Sequence, residues 1–189
     1  MLPDLEKALH QHQAVMAGLL ELQVPVNKAI DAMRECFANG GTIYACGNGG
    51  SASDAQHFAA ELTGRFEKTR RGYPAVALTT DTSALTAIAN DFGFDRIFAR
   101  QLESLGRKGD VVILISTSGN SSNLMETCRQ AQAQGITTIG LLGRDGGELA
   151  KVVDVALVVP GQRTSRIQEA HIFLLHHLCE AFEADNPYV

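Results

Sequence analysis

Between residues 3 and 39 the apolar positions fall at helical spacing: Leu5, Leu9, Met16, Leu19 and Leu20, then Val26, Ile30, Met33 and Phe37. That period predicts two helices, parted near Val24-Pro25 and stopped by Asn39-Gly40-Gly41. Beyond residue 40 the pattern changes. Short apolar and β-branched runs at Thr42–Cys46, Ala75–Leu78, Val111–Ser116, Thr137–Leu141 and Val155–Val159 predict strands. Between them, Ser51–Thr63, Ser83–Ala89, Ile97–Leu105, Asn120–Gln134 and a short Gly147–Val152 predict helices, and Arg163–Glu183 predicts a long last helix with Ile167, Ala170, Leu174, Leu175, Leu178 and Phe182 on its apolar side. Strands that alternate with helices predict an α/β fold, a doubly wound parallel sheet covered on both faces. Such a sheet takes its ligand at the carboxyl ends of its strands.

Composition narrows the class. The 189 residues are 45% hydrophobic and 20% charged, as in a globular chain of one domain. With 16 Lys+Arg against 21 Asp+Glu the net charge is −5, so no overall positive field draws the chain onto nucleic acid. The four cysteines, Cys36, Cys46, Cys128 and Cys179, form no CxxC pair and suggest neither a disulfide framework nor a thiolate zinc site. No apolar run reaches membrane-spanning length and no signal-peptide core follows the N-terminus, so a soluble, cytoplasmic protein is expected.

Two loops invite a phosphate. After the first strand, Gly47-Asn48-Gly49-Gly50-Ser51 runs directly into a helix, where unpaired N–H groups and the positive dipole end attract an anion. No Lys follows the glycines, so this is not a Walker loop. After the third strand, Ser116, Thr117, Ser118 and Ser121 offer hydroxyl donors without positive charge, again before a helix. Each loop read singly is also a turn or a helix cap. Together, at one edge of a parallel sheet, they suit the phosphate monoester of a small molecule.

A second constellation lies on helices. His57 and Glu61 are four apart and share a face, with Arg65 continuing the ridge. Gln168 and His176, eight apart on the last helix, share a broad face. Two such helices facing each other would supply acid–base groups or part of a divalent-metal site, although a surface pair and a core histidine explain the same spacing. His176 and His177 point about 100° apart, and spacing does not choose between them. Asn90-Asp91 reads as a helix terminator that could also meet sugar hydroxyls, and Arg144-Asp145-Gly146-Gly147 as a turn.

The segments GNGGSASDAQHFAAELTGRF, ALTTDTSALTAIANDFGF, GDVVILISTSGNSSN, GLLGRDGGELA and RIQEAHIFLLHHLCE, in this order, resemble the sugar isomerase (SIS) family, and within it the branch that isomerises heptose phosphates. The likeness covers about residues 40–183. It implies a single SIS domain over residues 1–189: a helical pair at 1–39, then a flavodoxin-like αβα sandwich of five parallel strands, in a homotetramer with shared active sites. It also implies roles for the residues above. Asn48, Gly49, Gly50 and Ser51 would form the substrate loop, Ser116, Thr117, Ser118 and Ser121 the phosphate grip, and Asn90, Asp91, Arg65 and Gln168 further substrate contacts. His57, Glu61, Gln168 and His176 match a zinc site found in some members, and Glu61 and His176 match the catalytic base and acid, which favours His176 over His177. The implied activity is the ketose–aldose conversion of sedoheptulose 7-phosphate that opens ADP-heptose synthesis for lipopolysaccharide. A non-catalytic scaffold that associates with the DnaA initiator, or a sugar-phosphate sensor, would share the fold. The scaffold relative lacks the Glu and final His that this chain keeps at Glu61 and His176.

Overall fold

Two helices open the structure, a computed structural model that describes residues 4–184. They are α1 (Leu5–Gly18) and α2 (Gln23–Ala38), joined by a 3₁₀ turn over Leu19–Leu22. The break therefore comes before the predicted Val24-Pro25, because Pro25 sits in the first turn of α2, where its missing N–H has no helical partner to lose. The sheet follows: β1 (Ile43–Gly47), β2 (Ala75–Ala77), β3 (Val111–Ser116), β4 (Thr137–Gly143) and β5 (Val155–Val159), all pairs parallel, in the order β2-β1-β3-β4-β5. Between and after the strands run α3 (Gly50–Thr63), α4 (Thr82–Phe92), α5 (Ala99–Leu105), α6 (Ser122–Gln134) and α7 (Thr164–Ala184). The predicted helix at 147–152 is only a 3₁₀ turn over Leu149–Lys151, and the one at 97–105 is shortened to α5 after a 3₁₀ turn at Phe94–Arg96.

Strand residues alternate between two cores. Ile43, Ala45, Val111, Ile113, Ile115, Ile139 and Leu141 face α2, α3 and α7, while Tyr44, Cys46, Val112, Leu114 and Leu142 face α5 and α6. Both faces are dry, so the strands are apolar throughout rather than alternating, which makes this a three-layer αβα sandwich. Val26, Ala29, Ile30, Met33 and Cys36 place α2 inside the first core. The helical pair is thus continuous with the sandwich rather than appended to it.

In this strand order the winding reverses between β1 and β3, and a crevice opens there at the carboxyl edge. The two candidate loops leave the sheet at that point. No described helix is long and apolar enough to cross a membrane.

Candidate active site

Helices in this molecule begin in two ways: α1 and α4 carry a side-chain cap, whereas α2, α3, α5 and α6 carry none. Asp4 caps α1 by accepting from the Lys7 N–H, and Asp81 caps α4 by accepting from the Ala84 N–H. The helices at the switch point, α3 behind Gly49 and α6 behind Ser121, have no side-chain cap. In α3 the Ser51 and Ala52 N–H groups donate to the Asn48 and Gly49 carbonyls, and the positive dipole ends of α3 and α6 favour an anion at the crevice.

The second loop is held from below. Buried Ser116 accepts from the Gly119 N–H at 3.0 Å, and its Oγ lies 3.4 Å from that of Ser121. Ser118 accepts from the Asn120 amide, and Thr117 is half-buried beside it. Gly119 has φ +66°, and a Cβ there would meet the Gly146 carbonyl oxygen at 1.8 Å, so only glycine fits. The Leu149 N–H donates to the Gly119 carbonyl and the Glu148 N–H to Asn120 Oδ1. The turn at residues 144–147 is accordingly the buttress of this loop. The sequence reading gave it no such part.

The first loop is tied to the second by a reciprocal amide pair. Asn48 Nδ2 donates to Asn123 Oδ1 at 3.0 Å, and Asn123 Nδ2 donates to Asn48 Oδ1 at 2.9 Å. Asn123 is buried, and sequence reasoning missed it; an amide in the first turn of a helix after a hydroxyl cluster was the signal present. Ser51 is buried in the first turn of α3, while Gly49 and Gly50 are exposed. A Cβ on Gly50 would lie 2.4 Å from Gln168 Nε2, so α7 lays its glutamine directly on the start of α3.

Further along the same helices the side chains of α3 and α7 meet. His57 Nε2 is 2.9 Å from Glu61 Oε1 and 3.4 Å from His176 Nε2, and the two imidazoles cross at 71° with centroids 5.0 Å apart. Phe66 packs its ring 5.5 Å from that of His176. His177 turns away and contacts Glu180 on the surface, so of the two it is His176 that lies beside His57. Asp54, one turn before His57, has a buried Oδ2 with no hydrogen-bond partner; burial pushes its carboxyl above the usual range and His57 pulls it back. Its spacing of three from His57 on one helix is the sequence signal for it.

Arg65, Asn90 and Asp91 stand apart. α3 ends at Thr63, so Arg65 lies beyond the helix and does not continue its ridge; its guanidinium folds onto the Glu67 carbonyl. Asn90 and Asp91 sit within the last turn of α4, exposed and bonded to each other. They do not join the groove.

The donor set suits zinc in kind: two imidazole nitrogens, a carboxylate and an amide. Of these donors, the two imidazole Nε2 atoms lie 3.4 Å apart. A neutral His57 Nε2 satisfies only one of its two contacts, to Glu61 or to His176, according to its tautomer. Glu61 and His176 each approach His57 without closing into a group, and Gln168 lies on Gly50. No three His, Cys, Asp or Glu among the described residues form a gathered metal centre.

Fold and site define an α/β domain with two polar loops at the switch point of its sheet and His57, Glu61 and His176 gathered in the adjoining groove between α3 and α7. Residues 9–143 match the SIS domain family. A phosphoheptose isomerase from Aliarcobacter butzleri is 54% identical over 173 residues, 91% of this chain and 92% of that one. Among solved structures, phosphoheptose isomerase GmhA from Neisseria gonorrhoeae superposes with TM-score 0.86 at 48% identity, covering 96% of this chain and all of that one. A phosphoheptose isomerase from Francisella tularensis gives TM-score 0.89 at 34% identity, covering 97% of this chain and all of that one. The chain belongs to the phosphoheptose isomerase family of SIS-domain enzymes.

Proposed function

We propose that the chain converts sedoheptulose 7-phosphate to D-glycero-D-manno-heptose 7-phosphate by moving the carbonyl from C2 to C1 through an enediol. The observation that carries this reading is the His176–His57–Glu61 contact, placed on the same two helices whose other ends meet at the phosphate loops. The uncapped starts of α3 and α6 and the hydroxyls of Ser116, Thr117, Ser118 and Ser121 hold the phosphate, with Asn48, Gly49, Gly50, Ser51 and Gln168 lining the path to the sugar. Binding energy from that remote group orients the reacting carbons.

Glu61 is the base. Its Oε1 is engaged by His57, and its second oxygen takes the proton from C1. As that C–H bond breaks, its electron pair forms the C1–C2 double bond, and the C2 carbonyl oxygen takes a proton from His176. The enediol then collapses: the O1 proton leaves, C1–O1 becomes the carbonyl, and C2 takes the proton that Glu61 carried. His176 recovers its proton from O1, so the reaction consumes no external acid or base. His57, Glu61, Gln168 and His176 would hold zinc, which when bound stabilises negative charge on the substrate oxygens as a Lewis acid.

A cytoplasmic homotetramer completes this reading. Neither α1 nor α4 buries a single residue in one subunit, and Leu5, Leu20, Phe92 and Phe94 are exposed, which suits faces covered by further copies. Asn90 and Asp91 at the end of α4 then reach the sugar across a subunit boundary. All four cysteines are buried free thiols, as suits a reducing compartment. The test is a coupled assay on sedoheptulose 7-phosphate, with zinc and with chelator, alongside the mass in solution. Turnover is expected; a purified protein inactive under both conditions overturns the reading.

A further inference from the structure

The chain between α3 and β2 carries a buried ion pair that the acid–base groups do not use. The side chain of Arg70 has no exposed surface, and that of its partner Glu183, on the last turn of α7, is 8% exposed. Arg70 Nε donates to Glu183 Oε1 at 2.8 Å, Nη1 donates to the Leu62 carbonyl at 3.0 Å, and Nη2 donates to the Glu61 carbonyl at 2.8 Å. Those carbonyls belong to the last turn of α3, which lacks helical partners for them. Glu183 Oε2 accepts from the Lys68 N–H at 2.6 Å, and the guanidinium lies 5.0 Å from the centre of the Tyr73 ring.

A buried pair of this kind is weak evidence for stability, because desolvation cancels much of the attraction and apolar groups of the same size often serve as well. Its geometry has another consequence. One guanidinium grips the backbone of Glu61 and a carboxylate of α7, so it joins the two helices whose side chains meet as His57, Glu61 and His176. The same carboxylate holds the segment that carries Phe66, which packs on His176.

We propose that Arg70, locked by Glu183, is a positioning residue that sets the approach of α3 to α7 and with it the placement of Glu61 against His57 and His176. The assignment rests on the isomerase reading above. Arg70 touches no substrate; it acts through the Glu61 backbone. The phosphate loops lie at the opposite end of α3, so its loss falls on turnover rather than on substrate capture.

The test is steady-state kinetics on sedoheptulose 7-phosphate for Arg70→Met, Arg70→Lys, Glu61→Gln and the Arg70→Met/Glu61→Gln double variant, at a temperature where each is folded by circular dichroism. Arg70→Met is expected to lower kcat roughly ten- to a hundredfold with KM within about twofold, since small misplacements of a reacting group carry such penalties. Arg70→Lys recovers part of the loss, because an ammonium still donates to one carbonyl. In the Glu61→Gln background Arg70→Met adds no further loss. A lowered melting temperature with wild-type kcat, or losses that multiply in the double variant, overturns the assignment. Should Arg70→Met not fold, Glu183→Gln leaves the guanidinium in place but loosens it, and about a threefold or greater drop in kcat is expected; unchanged kcat overturns the assignment equally. A wild type inactive on the sugar phosphate overturns the isomerase reading and this one with it, whereas an active wild type with an active Arg70→Met overturns this one alone.

Discussion

The two ends of the candidate site are built from different materials. At the sheet edge the proposed anion cradle is mostly backbone and short polar side chains, fixed by bonds such as Gly119 N–H to Ser116 Oγ and the Asn48–Asn123 amide pair. In the groove between α3 and α7 the working groups are long side chains, with His57 44% and Glu61 23% exposed, and His57 and His176 lie 119 residues apart in sequence. The rigid end suits uniform binding of a group that does not react. The half-open end suits proton transfers whose demands change along the reaction.

The sharpest way to break that division is Glu61→Gln. The amide keeps the shape and a contact to His57 but cannot take the C1 proton. A fall in kcat of about 10²–10⁴-fold is expected with KM little changed, since a positioned acid–base group contributes on that order. Initial-rate measurements separate the two constants. A variant that raises KM and keeps kcat shows that Glu61 binds rather than reacts, and the division fails.

The loops were legible in the sequence because each is local. Glycine, asparagine and hydroxyls follow a strand run and precede a helical run, and the strand order then brings Asn48 and Ser116 to one edge. The five strands were legible for the same reason: apolar runs buried on both faces leave a plain signal, as in Val111–Ser116. What stayed hidden depends on tertiary contact. Asn123 looks like any polar residue of a first turn until Asn48 is placed opposite it. Arg70 reads as one of several basic residues in a loop until the end of α7 folds over it. Between His176 and His177 the helical period leaves the choice open; the family resemblance favours His176, and the packing of α7 puts His176 beside His57 and His177 against Glu180.

His171 lies on α7 between Gln168 and His176, and pH probes it apart from them. It is wholly buried on α7; its Nε2–H donates to the carbonyl of Leu142 near the end of β4, while Nδ1 is buried without a partner. Burial lowers its pKa from 6.5 to about 4, against the smaller upward pull of the Leu142 carbonyl. The unfolded chain therefore takes up a proton at His171 below about pH 6.5, and the folded chain resists until about pH 4. The stability associated with the neutral ring is full above the upper value and declines as pH falls to the lower one, by on the order of 3 kcal/mol. Melting temperature should drop across this window, and His171→Gln, which keeps a donor but does not titrate, should flatten the slope. An equal slope in the variant removes His171 from the account.

The smallest expected effect tests whether the rigid end is rigid as a unit. Asn123→Ala removes both halves of the amide pair and leaves the half-buried side chain of Asn48 without its partner, while the substituted residue itself touches neither Glu61 nor His176. An unmade hydrogen bond at a buried amide costs about 1–3 kcal/mol, part of which falls on folding and part on the bound state. If the first loop relies on the second for its position, KM rises about three- to tenfold while kcat stays within about twofold, because the loops only hold the phosphate. Replacing Asn123 by Asp sharpens the reading: the size is kept, one donor becomes an acceptor facing Asn48 Oδ1, and a negative charge arrives beside the anion cradle. The rise in KM should then exceed that of the alanine variant and shrink with added salt if charge adds to the broken pair. A drop in kcat at unchanged KM for either variant would mean that the loops and the groove move together, and that the contrast between a binding end and a reacting end is drawn in the wrong place.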